Sequence, residues 1–224
     1  MKGFIINTFF VLGGSILGII AGKKIKEDIK QIIFDTLGLI TLFIGFKMAL
    51  ASPNIIYVVI SLVTGTIIGS YLKIEEKIHE GLNSLQEKYF SQVKHIEGFI
   101  IASTLFCVGS MTIIGSIKDG LYNDTLLIKT KSVMDGFASI LLASQYGYSV
   151  IFSALTVFVI QGIITLFSKY LTFLISSLMM GYIDGVGGFI ILSIGLNLLK
   201  LKDIKTLNMI PSLIIVIIFA KWLH

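Results

Sequence analysis

Apolar residues gather into eight runs along the chain, at approximately 3–22, 34–51, 54–72, 98–117, 125–144, 149–167, 172–199 and 206–223. Each approaches the length of roughly 20 residues that an α-helix needs to cross a bilayer. Turn formers fill the short breaks: Ala51-Ser52-Pro53-Asn54, then Asp119 to Asp124, then Gln145-Tyr146-Gly147-Tyr148. The seventh run is long for one span. It predicts an interfacial or re-entrant stretch over 170–181, followed by a span from Asp184 onward.

Two segments are amphipathic. Ile74, Ile78, Leu82, Leu85 and Tyr89 recur at helical spacing, while Glu75, Glu76, Lys77, Glu80, Glu87 and Lys88 fill the other face. Mixed charge on that face predicts a helix over 74–92 docked on the protein or the membrane edge, unlike a polybasic lipid sensor. The stretch from Lys23 to Lys30 is a shorter version of the same pattern.

Composition then fixes the class. Hydrophobic residues make up 55% of the 224 and charged residues 14%, with a mean hydropathy of +0.93. A soluble domain carries about a quarter charged residues, so this chain predicts an all-α membrane protein. The net charge of +5 comes from 18 lysines and no arginine, and the lysines sit between apolar runs. That placement reads as membrane topology and not as a nucleic-acid footprint. Eleven lysines (Lys23, Lys24, Lys26, Lys30, Lys73, Lys77, Lys88, Lys94, Lys200, Lys202 and Lys205) share one side of an eight-span arrangement. At most six face the other: Lys2, Lys118, Lys129, Lys131, Lys169 and Lys221. Lysine excess marks the cytoplasm, so both termini are predicted outside, with the 74–92 helix on the cytoplasmic face. The first run lacks a small-x-small cleavage pattern, and its lysines follow it, so it predicts a retained span. Cys107 is the one cysteine and lies inside an apolar run.

The chain also resembles itself. Asp35-Thr36-Leu37-Gly38 through Gly45-Phe46-Lys47-Met48 matches Asp184-Gly185-Val186-Gly187-Gly188 through Gly195-Leu196-Asn197-Leu198, with one inserted residue. Gly18 with Lys24 matches Gly162 with Lys169, and Pro53 and Pro211 each precede a closing span. Spans one to three therefore resemble spans six to eight. An offset of five spans reverses direction, which predicts inverted three-helix repeats around central spans four and five, an architecture of secondary transporters. Within a single membrane domain the organisation is repeat A over 1–73, the amphipathic helix over 74–96, the central pair over 97–146 and repeat B over 147–224. Compositional likeness between two glycine-bearing helices is the plain alternative.

Polar residues inside apolar runs are the candidate chemistry. In the fifth span Lys131 and Asp135 are four apart, with Ser132 and Ser139 on nearly the same face. An intramembrane charge is costly and belongs beside a partner or a wet cavity. Asp135 would hold a monovalent cation or a proton with the serines as oxygen ligands; otherwise Lys131–Asp135 is a structural pair near the outer interface. The fourth span holds Gly109, Ser110 and Thr112, a stretch that either packs closely or unwinds to free carbonyls for an ion. Asp35 and Asp184 fall at span starts, as helix caps or as a paired coupling and gating set, to which the amides Asn197 and Gln161 belong. Gly14, Gly18 and Gly22, like Gly65 and Gly69, have small-xxx-small spacing, which predicts helix contact and a homodimer. His79, His95 and His224 are scattered, and no phosphate loop, paired Cys/His set or catalytic triad pattern is present, so no enzyme is expected.

The segment from Phe106 to Leu121, containing Gly109-Ser110-Met111-Thr112, resembles the central signature of the bacterial domain of unknown function 554 family. So does Thr130-Lys131-Ser132-Val133-Met134-Asp135-Gly136-Phe137-Ala138-Ser139, and the likeness extends from Gly18–Lys24 through Gln161-Gly162 to Gly187–Leu199. Met209-Ile210-Pro211-Ser212 stands where the family has a similar Leu-Pro-Ala run. The resemblance implies an integral protein of the bacterial plasma membrane, with a sodium channel or pump suggested and no settled substrate. The expectation is a small transporter coupled to sodium or protons, or a cation channel, with its site near the midplane. The alternative is a membrane scaffold that binds a partner through glycine-rich helix faces. A transporter is expected to lose flux on Asp135→Asn with its fold intact.

Overall fold

All regular structure among the described residues of the computed structural model is helical, and those residues are 1–22, 26–78, 80 and 96–222. The amphipathic pattern beyond position 80 and all three histidines lie outside them. The helices are α1 (Gly3–Gly22), α2 (Glu27–Ala49), α3 (Ile55–Tyr71), α4 (Ile96–Cys107), α5 (Ser110–Tyr122), α6 (Leu126–Tyr146), α7 (Ser153–Leu166), α8 (Ser177–Leu198) and α9 (Pro211–Trp222). Among the described residues, three helical stretches are long and apolar enough to cross a membrane: Gly3–Gly22, Leu126–Leu166 and Ser177–Leu198. The pair α4 and α5, bent by 59°, makes a fourth if it is one span.

Several boundaries move from their predicted places. The second helix starts at Glu27, so the polar stretch ahead of Asp35 forms its first turns. Residues 119–122 belong to α5, which leaves only a short loop before α6. The predicted turn at 145–148 splits between the end of α6 and a 3-10 helix, Gly147–Phe152. Short 3-10 helices occupy Ser168–Tyr170 and Thr172–Ile175, and α8 then begins at Ser177, a full turn and more before Asp184. Ser176 caps α8 by accepting from the Met179 N–H, so Asp184 is no cap. Asp35 likewise lies inside a helix.

The chain divides into two compact units, the first from Met1–Phe34 and Ser91–Ile175, the second from Asp35–Phe90 and Ser176–His224. In the first, Gly3 meets Ile128, Gly14 meets Gly136 and Ser139, and Gly22 meets Ser144, so α1 and α6 run parallel. Phe4 stacks on Phe158 with centroids 5.3 Å apart. A straight helix would put Ile128 and Phe158 about 45 Å apart, so α7 must double back on α6 across the 3-10 turn. Gly98 meets Tyr146 and Ser149, whereas Gly120 meets Thr165 and Ser168, so α4 and α5 together traverse the unit from one end to the other. α1 and α5 each pack on both α6 and α7.

In the second unit α2 and α8 pack antiparallel through close backbone approach. The contacts are Gly38 with Leu199, Leu42 with Gly195, Gly45 with Leu192 and Ala49 with Gly188. A methyl group at Gly45 would sit 2.8 Å from the Leu192 nitrogen, so nothing larger than glycine fits. Helix α3 runs antiparallel to α9, with Gly65 against Ser212, and starts level with α8, where Tyr57 meets Tyr182 edge-on at 5.8 Å. Glu75 and Glu76 anchor a helical stretch at 74–78 on the loop before α9. The Glu75 carboxylate accepts from the Leu207 N–H, Asn208 accepts from the Glu75 N–H, and Lys205 pairs with Glu76 at 2.9 Å.

Candidate functional site

A helix puts residues i and i+4 one above the other, so α6 brings Lys131 and Asp135 together from sequence alone. The Lys131 ammonium donates to both carboxylate oxygens of Asp135, at 2.8 Å and 2.6 Å. Each residue is only 6% exposed. The second carboxylate oxygen also accepts from the Asn7 amide at 2.9 Å, across from α1. Charges taken out of water this far need all of these partners: pairing and hydrogen bonding offset a desolvation cost of several kcal/mol.

Ser132 and Ser139 are fully buried on the same helix, and both hydroxyls donate one turn back, to Ile128 and Asp135 carbonyls. Their hydrogens are committed to the backbone; their lone pairs are not. The α4–α5 break falls at Val108-Gly109, where Gly109 takes φ 132, a conformation closed to other L residues. Ser110 opens α5. One carbonyl released by the break, that of Phe106, accepts from the Thr112 hydroxyl at 2.9 Å, so Thr112 satisfies the unwound backbone.

The predicted coupling residues are divided between the two units. Gln161 belongs to the first unit, wholly buried on α7, with no hydrogen-bond partner at either end of its amide. Asp35, Asp184 and Asn197 belong to the second unit. Asp35 is exposed and Asp184 half-buried. Asn197 donates to the Ile204 carbonyl and accepts from the Ile204 N–H, both at 2.8 Å, and so clamps the 198–204 loop.

Two residues escaped sequence reasoning. Asn7 carries the signal of an amide in an otherwise apolar span, yet nothing local names its partner 128 residues away. Asp119 reads as a loop acid; it is instead wholly buried at the end of α5, accepting from the Gly3 and Lys2 N–H groups and pairing with the N-terminal ammonium at 3.3 Å. Outside the helical spans, the Lys205 hydrogen bond holds the Glu76 carboxyl below the usual carboxylate range, and Glu76 in turn raises Lys205.

A family model described as a protein of unknown function, DUF554, matches residues 2–221. The chain belongs to that family. The chain is 35% identical to the uncharacterized membrane protein YdfK of Bacillus subtilis over 226 residues, covering 98% of this chain and 96% of that one. It is 25% identical to the uncharacterized protein YqgA of Escherichia coli over 227 residues, covering 98% and 97%. No solved structure matches this member of the DUF554 family.

Proposed function

We propose that this DUF554 protein is a small ion-coupled membrane transporter of the bacterial plasma membrane, with the Lys131–Asp135–Asn7 cluster as its charged centre. One observation carries the reading: an ion pair buried between apolar helices, where an intramembrane charge marks a transport path before it marks stability. Sodium or a proton is the coupling ion, and either acts in the same way. Each competes with Lys131 for the Asp135 carboxylate and so frees the ammonium. Asp135 lies about 10 Å along α6 from the end where Gly3 meets Ile128, within the hydrophobic thickness.

Eight crossings with inverted repeats are the architecture of this reading, and two kinds of contact support it. Matching Gly38 to Gly188 and Gly45 to Gly195 turns the Gly38–Leu199 contact into Gly188–Ala49, and Gly195–Leu42 into Gly45–Leu192. Contacts that exchange in this way are what a two-fold relation between inverted units generates. Residues that the lysine topology assigns to one side also meet one another: Met1 with Asn123, Gly98 with Tyr146, and Glu76 with Lys205.

The scaffold reading needs free glycine faces. Gly14, Gly18 and Gly22 pack on α6, and Gly65 and Gly69 pack on Ser212 and Asn208 of this same chain, which leaves transport the better supported. The test is ion flux in proteoliposomes, comparing the parent with the charge-neutral double variant Lys131→Gln/Asp135→Asn. Sodium- or proton-driven flux in the parent and its loss in the variant is the expected result; uphill accumulation marks a transporter, downhill flux alone a channel. Equal flux in parent, variant and protein-free vesicles would sink the proposal.

A further inference from the structure

Four helices of the first unit place a buried polar side chain at one level. Gly3, Asp119, Ile128 and Thr165 lie together at one end, because Gly3 touches both Asp119 and Ile128 while Gly120 touches Thr165. One turn inward from these on each helix come Asn7 on α1, Ser116 on α5, Lys131 on α6 and Gln161 on α7. Asn7, Ser116 and Gln161 are wholly buried.

Hydrogen bonding in this layer is incomplete in a patterned way. Asn7 spends its N–H on Asp135 and leaves Oδ1 without a donor; the Ser116 hydroxyl and both ends of the Gln161 amide are also unmatched, as is the Thr165 hydroxyl one turn outward. Most buried hydroxyls elsewhere in the same unit, such as Thr104, Ser132, Ser139 and Ser153, donate to a carbonyl of the preceding turn; Ser15, two turns further along α1, is unmatched as well. A buried polar group without a partner costs about 1–3 kcal/mol, so several at one level need a reason beyond packing.

Charge and polarity define what would satisfy them. Lys131 and Asp135 cancel, so the layer has no net charge to offer an anion or a second cation. A bare cation would occupy the oxygens but leave the Gln161 N–H groups unpaired. A molecule that both donates and accepts satisfies all of them.

We propose that this layer is the solute site, and that the solute is a small uncharged molecule bearing hydroxyl or amide groups; the assignment rests on the transport reading above. The Gln161 amide takes one hydroxyl or amide of the solute in both directions, and Ser116, Thr165 and Asn7 Oδ1 bind its remaining polar atoms. The ion pair beside them links solute occupancy to the coupling ion.

Stopped-flow reswelling of proteoliposomes after hyperosmotic challenge with glycerol, acetamide or urea tests the assignment, with ion flux read on the same vesicles. Parent vesicles are expected to reswell several-fold faster than protein-free ones with at least one of these solutes. Gln161→Met and Ser116→Ala should each lose that acceleration without a fall in melting temperature, since each removes an unmatched polar group. Ser61→Ala removes an equally buried, unmatched hydroxyl from the second unit and should leave reswelling unchanged. Full acceleration in folded Gln161→Met would overturn the location. Ion flux lost with Lys131→Gln/Asp135→Asn, but without accelerated reswelling of the parent by any of the three solutes, would overturn the solute class and leave the transport reading standing. Absence of both fluxes would remove the reading and this site together.

Discussion

Asp135 and Lys131 are bonded to one another twice inside the helix layer, and that alters what removing either one does. Substituting Asp135 by Asn is not the fold-neutral change that spacing alone led us to expect. It leaves the Lys131 ammonium buried without its counter-charge, and breaking a buried pair from one side costs about 3–5 kcal/mol. Replacing both, as in Lys131→Met/Asp135→Leu, removes the charges together and is expected to cost far less. Denaturation in detergent should show the double variant more stable than Asp135→Asn; a double variant at least as unstable as the single one would mean that the pair's partners, and not its charges, matter. The i, i+4 pair was legible in the sequence because helix pitch alone sets it. Asn7 was not, because its reach to Asp135 depends on how α1 is rotated against α6.

At the scale of elements, small-residue spacing correctly marked the helix faces that come closest, but not their partners. The same spacing predicts a homodimer through those faces, and both are filled within the chain. Gly69→Leu would drive a side chain into the Asn208 backbone and is expected to lower stability by at least the ~1–3 kcal/mol typical of overpacking. Thermal melting with mass measurement in nanodiscs checks this: a lower melting point with unchanged mass is the expected outcome, while a folded protein of halved mass would return the face to a dimer. The 74–78 stretch gives a pH prediction. Glu76 is held below the usual carboxylate range by Lys205, so its stabilising contact is present at neutral pH and lost as pH falls through that lowered value. Lys205 is raised, so its share persists until pH rises past the ordinary lysine range. Amide exchange at 74–78 should accelerate only below the usual carboxylate range, and Glu76→Gln should abolish that step; the contact is exposed, so the effect is small.

For the whole molecule, the class was settled by composition, since a chain with 14% charged residues cannot cover itself in water. Many of the helix breaks were legible too, because turn formers punctuate the apolar runs: the loops at 51–54 and 123–125 and the change of helix at 146–147 fall at or beside them. With Cys107 replaced by Ala, cysteines introduced at Asn123 and Lys202 report the proposed topology. An impermeant thiol reagent applied to intact cells should label position 123 and spare position 202; the reverse pattern would invert the orientation, and labelling at both would break the eight-crossing arrangement. Tertiary structure alone decided the rest: that Asp119 is buried against the N-terminus, and that Asn7, Ser116, Lys131 and Gln161 share one level. Sequence fixes what lies along one helix, where pitch converts spacing into geometry. It does not fix the rotation and register of one helix against another, which close packing of small residues sets, and Asn7, Ser116 and Gln161 join the Lys131–Asp135 pair only through those contacts.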